Sequence, residues 1–476
     1  MLRAVLLSAL IYSASAFSLS PSLAGSTFAG RFNAKSSVSP LGLRTSARNS
    51  RATVTMQEVT GLKRVAVTGI GIISCLGNTK EEVADSLREA KSGIRFRPDF
   101  AEKGLKSHVC GWPKLDEEDF KKRIPRQSLR FMAGNAKYCY LALEDALKDS
   151  GMEPKDWEKN PRIASILGQG GTSASDIYET CQAVESQAPR WSNKVGPYRV
   201  TRTMGSCVSA TLATAFKLQG PSFSISSACS TGSHCIGVGM EQIQLGKSDI
   251  AVCGAGEDDR WEFTAMFDCM GALSTKYNDE PERASRAFDK TRDGFVIAGG
   301  AGVLVLEEME HAKKRGANIY AELVGYAANS DGFDMVAPSG VGGENCMKIA
   351  MEMANKKEKR NVDYINTHGT STPVGDAQEL QAIKRTFEPL GYSPFVGSTK
   401  SLSGHSLAAA GVQEAIYTLL MVNNGFLAES AHITDLCDEA EGLKILTKRE
   451  DMTAKRVLSN SFGFGGTNAC LIFDKD

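Results

Sequence analysis

Short apolar segments alternate along the chain with longer stretches in which apolar residues recur every three or four positions. This pattern predicts strands at residues 163–168 and 249–253 and a helix at residues 200–218. Thr79 followed by Glu82 is a capping box that opens an earlier helix. Strands that alternate with helices favour an α/β fold, and we expect a mainly parallel sheet.

The first apolar strand, at residues 64–69, runs into a glycine-rich segment. Gly69 and Gly71 begin a pattern that resembles a dinucleotide-binding loop, but the third glycine of that fingerprint is missing. We therefore predict a tight turn at Gly69 and no nucleotide site there.

The pattern restarts in the second part of the chain. Residues 321–325 (Ala-Glu-Leu-Val-Gly) repeat the character of residues 65–69 (Val-Ala-Val-Thr-Gly). We interpret this as one α/β unit that has been duplicated, each copy a strand–helix alternation. The predicted halves are residues 58–318 and 319–476.

A short apolar run at residues 223–227 predicts a buried strand, and the residues after Cys229 predict a helix with Ile236 and Met240 on one side. Cys229 therefore stands at or just before the first turn of a helix. Unpaired N–H groups and the helix dipole favour an anion there, which makes a thiolate easier to form. Cys229 is a candidate nucleophile; the alternative is a small buried core residue, as most buried cysteines are.

Three further blocks place polar side chains at Gly- and Ser-rich junctions. Residues 366–373 are Asn-Thr-His-Gly-Thr-Ser-Thr-Pro, residues 398–405 are Ser-Thr-Lys-Ser-Leu-Ser-Gly-His, and residues 460–468 are Asn-Ser-Phe-Gly-Phe-Gly-Gly-Thr-Asn. With Ser-Ala-Cys-Ser at 227–230, they resemble the signature of β-ketoacyl-[acyl-carrier-protein] synthases of the thiolase superfamily. The resemblance covers about residues 63–474 and is strongest to the type I condensing enzymes of fatty-acid synthesis. It implies the duplicated, five-layer αβαβα thiolase-like fold.

The resemblance also implies an activity: decarboxylative Claisen condensation of acyl- with malonyl-carrier protein in type II fatty-acid elongation, giving 3-oxoacyl-carrier protein and CO₂. Cys229 would carry the acyl chain, and His368 and His405 would hydrogen-bond the malonyl thioester carbonyl and stabilise its enolate. Neutral imidazole suits that work. The backbone N–H groups of Cys229 and Phe464 would form an oxyanion hole. We expect no cofactor, because the acyl carrier protein brings the phosphopantetheine.

Supporting roles follow from the same resemblance. Lys400 would tune the electrostatics of the two histidines, with Glu379 as its partner. Phe464 would swing between its flanking glycines and gate the acyl pocket. Thr370 and Thr372 would donate hydroxyl hydrogen bonds to the phosphopantetheine amides.

Gly171 and Met204 match positions of the family's acyl pocket. Type II synthases often carry a bulky aliphatic residue where this chain has Gly171. With no side chain at that position, nothing there should close the tunnel, which fits short to medium-long acyl chains. The alternative is that Gly171 only serves a backbone turn.

Residues 121–130 carry five positive charges. Such a run forms either a solvated face or a docking patch for an acidic partner. The resemblance favours docking of acyl carrier protein, because Arg126 and Arg130 match family docking positions. Arg190 matches another, and Lys194 lies one place from a further one.

Glu414 is an isolated carboxylate in the apolar segment 408–422, where it is costly unless paired. Together with Ser459 and Asn460 it would surround a monovalent cation, as in some family members. The alternative is a hydrogen bond from a buried backbone N–H.

Charge is balanced over the 476 residues, with 55 basic and 55 acidic side chains. The first 57 residues contain six Lys and Arg and no Asp or Glu, which leaves 49 basic and 55 acidic residues elsewhere. This mildly acidic remainder has no nucleic-acid footprint. The twelve cysteines form no regular framework and no C-x-x-C pair, which argues against a disulfide-rich secreted protein and against a zinc site.

The beginning of the chain has the composition of a targeting sequence. Residues 1–16 resemble a signal peptide, and residues 17–57, rich in Ser and Arg, resemble a transit peptide. The apolar run is too short to span a bilayer, and we expect no membrane association. These segments predict a bipartite presequence and a location in the plastid stroma; ordinary secretion is the alternative.

Relatives with the same fold offer competing interpretations. A thiolase has Cys and a type III synthase has Asn where this chain has His405. A papain-like hydrolase would carry its nucleophile near the mature N-terminus. A synthase that prefers longer chains and a non-catalytic chain-length-factor partner remain alternatives, although the latter should lack Cys229. The family is dimeric, so we expect a homodimer.

Overall fold

The computed structural model describes residues 61–475. Its strands are β1 (Val65–Ile73), β2 (Ile94–Phe96), β3 (Val109–Gly111), β4 (Ile163–Gly168), β5 (Ser222–Phe223), β6 (Ile250–Glu257), β7 (Gly300–Glu308), β8 (Ala321–Ser330), β9 (Tyr364–Asn366), β10 (Phe395–Gly397), β11 (Lys444–Ile445), β12 (Arg456–Gly463) and β13 (Thr467–Asp474).

The α-helices are α1 (Lys80–Arg88), α2 (Pro98–Glu102), α3 (Glu117–Arg123), α4 (Arg126–Leu129), α5 (Gly134–Asp149), α6 (Pro154–Trp157), α7 (Ala174–Glu185), α8 (Trp191–Val195), α9 (Arg199–Thr203), α10 (Cys207–Phe216), α11 (Thr231–Gln244), α12 (Trp261–Cys269), α13 (Met309–Lys314), α14 (Val341–Lys357), α15 (Pro373–Phe387), α16 (Lys400–Ser403) and α17 (Ala410–Asn423). Between residues 61 and 475, none of these helices is both long enough and apolar enough to cross a membrane.

The main sheet repeats one pairing pattern twice. The strand order is β11-β10-β9-β12-β13-β8-β1-β7-β6-β4-β5. From β5 through β4, β6 and β7 to β1, the pairings are parallel, parallel, antiparallel and antiparallel. From β10 through β9, β12 and β13 to β8 they follow the same sequence. This repetition confirms the predicted duplication.

The prediction of a mainly parallel sheet is wrong, because antiparallel pairings are as frequent as parallel ones in the main sheet. In the second half, β12 and β13 form a hairpin joined by a short turn, and such a connection needs no crossover helix. The two halves meet where β1 pairs with β8, at Ala66 opposite Glu322 and Val67 opposite Ala321.

The predicted tight turn at Gly69 is also wrong, because β1 continues through it with a register shift. A Cβ at Gly69 would lie 2.4 Å from the carbonyl oxygen of Ala146, and a Cβ at Gly71 would lie 1.8 Å from that of Ala142. Both carbonyls belong to α5. The glycines therefore allow the backbone of a helix to pack directly against the strand.

Two helices occupy the centre of the fold. α11 packs against β4 and β6, α17 packs against β7 and β12, and the two helices contact each other. Ile236, Met240 and Ile243 of α11 share one buried cluster with Val412 and Ile416 of α17. These are the buried central helices that a five-layer thiolase-like fold requires.

Two local predictions differ from the structure. The strand expected at 223–227 is reduced to β5 at the edge of the sheet, and Phe223 is exposed. The helix expected at 200–218 is divided into α9 and α10 by the segment that contains Gly205, a poor helix former. The predicted start of α1 is confirmed, because Thr79 Oγ1 accepts a hydrogen bond from Glu82 N at 3.2 Å.

Candidate active site

Cys229 lies on a sharp turn immediately before α11. Ala228, which precedes it, has a φ of 49°, in the left-handed region that costs a non-glycine residue about 1–2 kcal/mol. Ser230 is the N-cap residue of α11, and its Oγ lies 2.9 Å from the carbonyl oxygen of Ser461. The predicted position of Cys229 at the start of the helix is confirmed.

The fold brings together three side chains that are far apart in sequence. Cys229 Sγ lies 3.0 Å from His405 Nε2, and the rings of His368 and His405 are 5.3 Å apart at 88°. The sulfur and the nearest nitrogen of each imidazole all lie within 4.8 Å of one another. A thiol and two imidazoles at this spacing suit either nucleophilic catalysis or metal binding.

Burial controls the protonation of this cluster. It raises the pKa of the Cys229 thiol to about 11, although the Phe464 backbone N–H and the Lys400 ammonium act in the opposite direction. The thiolate favoured by the helix N-terminus is therefore not the resting form, since desolvation dominates. Burial, and next the charge of Lys400, lower the pKa of both His368 and His405 well below the usual range. Both imidazoles are neutral at neutral pH.

The partner of Lys400 differs from the prediction. Lys400 Nζ forms a buried ion pair with Glu414, and it donates a hydrogen bond of 2.6 Å to the backbone oxygen of His368. Glu379 instead accepts hydrogen bonds from the N–H groups of His368 and Gly369, at 2.8 and 2.7 Å. The lysine and Glu379 therefore both hold the backbone of His368, from different sides.

The same ion pair bears on the proposed cation site. The charge of Glu414 is already compensated by Lys400, and the side-chain amide of Asn460 donates to Glu379 at 3.0 Å. Lys400 supplies the opposite charge at Oε1 of Glu414, so no backbone N–H is needed there. Oε2 of Glu414 is buried without a hydrogen-bond partner among the described residues, and the cation site stays a prediction. Ser459 Oγ is buried without a hydrogen-bond partner among the described residues.

A cavity of about 410 Å³ opens onto the cluster. Its polar wall includes Thr370 and Thr372, whose hydroxyl oxygens are 3.0 Å apart. The predicted residues that line it are Cys229, His368, Thr370, Thr372, Glu379, His405 and Phe464. Its apolar wall is formed by Phe267, Phe295 and Leu407.

Gly171 and Met204, which were predicted to line the acyl pocket, do not line this cavity in the single chain. The ring of Phe263 stands beside Gly171. The backbone oxygen of Met204 accepts a hydrogen bond from Gln169 Nε2 at 3.4 Å. Both residues lie in neighbouring segments, outside the wall that faces Cys229.

Gly463 brings the end of β12 against the turn that carries the nucleophile. A Cβ there would lie 2.9 Å from the backbone oxygen of Ser227 and 3.1 Å from the backbone nitrogen of Cys229. This close approach points the Phe464 N–H at the Cys229 sulfur. The backbone N–H groups of Cys229 and Phe464 thus both lie beside the sulfur, within reach of the carbonyl oxygen of a thioester that the sulfur attacks.

Most of the basic run at 121–130 is neutralised locally. Lys121 pairs with Glu118 at 2.6 Å, and Lys122 pairs with Asp119 at 3.1 Å. Arg123 binds two acidic residues of α5. Only part of the run therefore remains as a positive surface.

That surface is a groove of about 680 Å³ lined by Arg126, Arg130, Tyr198, Pro125 and Gln127. Nη1 of Arg130 lies 3.3 Å from the Tyr198 hydroxyl, and its guanidinium packs over the Tyr198 ring.

Arg190 and Lys194 are exposed on and beside α8 but do not line this groove. Of the four predicted docking residues, the described part of the chain brings only Arg126 and Arg130 together.

Glu257, at the end of β6, was not anticipated as a site residue. Its buried carboxylate accepts hydrogen bonds from Gly170 N at 3.2 Å and from Ala408 N at 3.3 Å. Burial raises the pKa of this carboxyl to about 8. It ties the loop after β4 to the segment that follows His405. A glutamate at the end of an apolar strand was the available sequence signal.

Comparison with known proteins gives the family. Residues 62–312 match the family described as beta-ketoacyl synthase, N-terminal domain, and residues 320–434 match its C-terminal domain. The chain belongs to the β-ketoacyl synthase family.

Curated relatives agree with this assignment. The chain is 52% identical over 414 residues to 3-oxoacyl-[acyl-carrier-protein] synthase 1 of Escherichia coli (strain K12), a match that covers 87% of this chain and 99% of that protein. It is 52% identical over 415 residues to the enzyme of the same name from Haemophilus influenzae, with the same coverage. It is 39% identical over 422 residues to 3-oxoacyl-[acyl-carrier-protein] synthase 2 of Vibrio harveyi, again covering 87% and 99%.

Solved structures give the same fold. A β-ketoacyl synthase from Burkholderia phymatum is 33% identical, with a TM-score of 0.81 over 87% of this chain and 100% of that one. A type II polyketide ketosynthase, solved with its acyl-carrier protein (AntDE:AntF), is 26% identical, with a TM-score of 0.77 over the same shares. The prediction of a thiolase-like β-ketoacyl synthase is confirmed.

The predicted plastid location is wrong. The synthase 1 and synthase 2 relatives come from bacteria, which have no plastids, and they provide no support for a transit peptide. The signal and transit peptides were predicted at residues 1–57, outside the described residues.

Proposed function

We propose that this β-ketoacyl synthase condenses acyl- with malonyl-[acyl-carrier-protein] to give 3-oxoacyl-carrier protein, CO₂ and free carrier protein in fatty-acid elongation. The observation that carries the proposal is the 3.0 Å approach of Cys229 Sγ to His405 Nε2, beside His368. The half at 58–318 supplies the nucleophile and the half at 319–476 supplies both histidines.

Acyl transfer begins from a neutral thiol. As Cys229 Sγ attacks the acyl thioester carbonyl, its proton passes to His405 Nε2. The negative charge on the carbonyl oxygen is stabilised by the backbone N–H groups of Cys229 and Phe464. The carbon–sulfur bond to phosphopantetheine then breaks, and the departing thiolate takes the proton from His405. The products are acyl-Cys229 and free carrier protein.

The second half-reaction uses both neutral histidines as hydrogen-bond donors; before it, proton exchange with water moves the His405 proton from Nδ1 to Nε2, the nitrogen that faces the site. When malonyl-carrier protein loses CO₂, the electrons of the broken carbon–carbon bond form an enolate, whose oxygen accepts hydrogen bonds from His368 and His405. The enolate carbon attacks the acyl-Cys229 carbonyl, and the Cys229 sulfur leaves as a thiolate that takes a proton from water. The positive charge of Lys400, held against the His368 backbone, adds favourable electrostatic potential.

The remaining predicted residues have supporting roles. Thr370 and Thr372 hold the phosphopantetheine arm on the polar wall, and Phe464 gates the acyl side. Glu379 fixes the backbone of His368 through its two hydrogen bonds.

Acyl carrier protein docks through Arg126 and Arg130, with Arg190 and Lys194 as further contacts. The groove with two arginines supports this role, because an acidic helix is complementary to it. The related polyketide ketosynthase was solved with its own acyl-carrier protein. A homodimer is supported by the exposed edge of the sheet at β5, which a second copy would cover.

One assay tests the reaction. Purified enzyme is given acyl- and malonyl-carrier protein, and CO₂ and 3-oxoacyl-carrier protein are measured. A thiolase would instead condense acetyl-CoA without releasing CO₂, and a chain-length factor would form no acyl adduct on Cys229. Either result would overturn the proposal.

A further inference from the structure

Three side chains that line the cavity have the donor atoms of a zinc site. The sulfur of Cys229 and one ring nitrogen each of His368 and His405 all lie within 4.8 Å of one another. In residues 61–475, no second group of three His, Cys, Asp or Glu side chains has this spacing. The ligands come from three separate parts of the chain, so no C-x-x-C spacing marks them in the sequence. A thiolate with two imidazoles suits Zn²⁺, whereas Mg²⁺ and Ca²⁺ prefer oxygen ligands.

The spacing of these atoms is close to that around a tetrahedral zinc ion. With zinc–sulfur and zinc–nitrogen bonds of about 2.3 and 2.0 Å, the ligand atoms lie about 3.5 Å apart. Cys229 Sγ and His405 Nε2 are 3.0 Å apart, and no pair in the group exceeds 4.8 Å. Side-chain shifts of about 1 Å therefore close the group around an ion. The ion reaches it through the cavity, which all three residues line.

The charges around the group do not exclude a divalent cation. Lys400 is the lysine whose charge acts on all three side chains. That charge is already paired with Glu414. A thiol that binds zinc is deprotonated, so the zinc–thiolate unit adds only one further positive charge.

The two histidines lack the outer support of a permanent zinc site. A histidine that binds zinc usually donates its other ring N–H to an acceptor, and losing that acceptor costs about 10–100-fold in affinity. Nδ1 of His405, the ring nitrogen that does not face Cys229, is buried without a hydrogen-bond partner among the described residues. The same is true of Nδ1 of His368. The group is therefore suited to an ion that binds reversibly.

We propose that Cys229, His368 and His405 bind one Zn²⁺ ion, which blocks the Cys229 sulfur reversibly. The S–H bond of Cys229 breaks as the Zn–S bond forms, and the proton is released to water. A water molecule from the cavity completes the four ligands. Zinc then occupies the atom that would attack an acyl thioester, so metal binding and acylation of Cys229 exclude each other. The binding site is independent of the proposed condensing function, whereas its inhibitory effect rests on that function.

The first experiment measures binding without any reaction. The full chain is treated with a chelator, dialysed and titrated with Co²⁺, whose bond to a thiolate gives ultraviolet charge-transfer absorption. We expect one equivalent per chain, and Zn²⁺ should displace it because zinc binds such sites more tightly. Cys229→Ser should abolish the absorption. His368→Ala and His405→Ala should each weaken binding by more than the about 10–100-fold that an outer-shell partner is worth.

Alkylation tests the same site in the wild-type protein. Iodoacetamide is added with and without Zn²⁺, and the labelling of each cysteine is followed by peptide mass spectrometry. With free Zn²⁺ at about ten times its Kd, labelling of Cys229 should slow about tenfold. Cys181 and Cys269 are exposed and lie outside the group, so they should react at unchanged rates. Mg²⁺ at the same concentration should protect none of the three.

Cys181→Ala and Cys269→Ala are the matched control variants, and both should bind Co²⁺ as the wild type does. A wild type that binds no Co²⁺, binding that survives Cys229→Ser, or labelling of Cys229 that Zn²⁺ does not slow would each overturn the proposal.

The inhibitory effect is measured on acyl transfer from acyl-carrier protein. Zn²⁺ should inhibit competitively with the acyl donor, and a chelator should restore the rate. If Zn²⁺ binds and protects Cys229 but does not slow acyl transfer, the inhibitory role is wrong. If Zn²⁺ protects Cys229 in a protein that condenses no substrate, the metal site stands and the proposed function fails.

Discussion

The two halves of the molecule share a strand pattern but differ in where they bury charge. In the first half, the turn before α11 presents Cys229 to an apolar cluster of aromatic rings. In the second half, α17 carries Glu414, which is buried and paired with Lys400. At the site, the first half thus contributes a thiol among aromatic rings, and the second half contributes two histidines with a buried lysine beside them.

The difference appears in the pKa of each reacting group. Burial raises the pKa of Cys229 to about 11, so the thiol keeps its proton at neutral pH although His405 lies 3.0 Å away. In the second half, burial and next the charge of Lys400 lower the pKa of both imidazoles and keep them neutral. The thiol of the first half and the two imidazoles of the second half are therefore all uncharged before the reaction begins.

The largest effect on activity should come from replacing the nucleophile of the first half. Cys229→Ala is expected to lower condensation by about ten-thousandfold or more, because the acyl intermediate has no atom on which to form. Condensation and covalent acylation are measured together. Cys235→Ala, a buried cysteine within α11, is the control. A stable acyl adduct at another residue of the Cys229→Ala protein would contradict the assignment.

Removing either histidine should separate the two half-reactions. His368→Ala and His405→Ala are each expected to slow malonyl decarboxylation by about a hundredfold to ten-thousandfold, since each removes one donor to the enolate. His368→Ala should keep acyl transfer, whereas His405→Ala should slow it as well, because His405 is the nitrogen nearest the sulfur.

Released CO₂ and acylated protein are quantified separately, with His311→Ala on α13 as the control. Wild-type decarboxylation in either variant would show that the role given to that histidine is wrong.

Breaking the buried ion pair between Lys400 and Glu414 tests how much that pair stabilises the second half. Lys400→Met leaves Glu414 buried without its partner, and it should lower the free energy of unfolding by about 3–5 kcal/mol. Chemical denaturation measures this. Arg449→Met, which removes a surface pair with Asp451, should cost less than about 1 kcal/mol.

The pH dependence has a defined sign. Burial raises the pKa of Glu414 to about 7 even with Lys400 present, so folding favours its protonated form. In Lys400→Met the pKa should rise further, and stability should increase as the pH falls from above 7 towards the usual value for glutamate. A loss that does not change with pH would show that the damage comes from packing and not from charge.

The smallest effect on activity should come from substitutions in the proposed docking surface, which lies outside both central helices. Arg126→Glu combined with Arg130→Glu should raise KM for carrier-protein substrates about tenfold at low salt, and added salt should reduce the difference. Lys121→Glu with Lys122→Glu is the matched control, because those charges are already paired. Equal losses with acyl-pantetheine mimics would indicate misfolding instead of weaker docking.

Features that depend only on neighbouring residues in the sequence could be predicted. The turn at Cys229 follows from an apolar run that meets a helical pattern, and the duplication follows from the repeated strand at 321–325. The need of Glu414 for a partner was visible because it stands alone among apolar residues. Its partner could not be predicted, because pairing with Lys400 depends on how α16 and α17 pack in the folded protein.

Other features depend on contacts that no local pattern records. Gly69 has the sequence of a turn residue, but it lies within a strand because α5 needs close approach. The run at 223–227 is apolar, yet its position at the sheet edge leaves Phe223 exposed. The contact of the Phe263 ring with Gly171 depends on the distance between α12 and the loop after β4.

The pairing of β1 has a consequence for synthesis on the ribosome. Thr68 on β1 bonds to Glu307 on β7, 239 residues later. At about 5–20 residues per second, this strand waits about 10–50 s for its neighbour to be translated. During that time the apolar side chains of β1 lack their native cover, and the strand leaves the ribosome with an unpaired edge that can bind other strands.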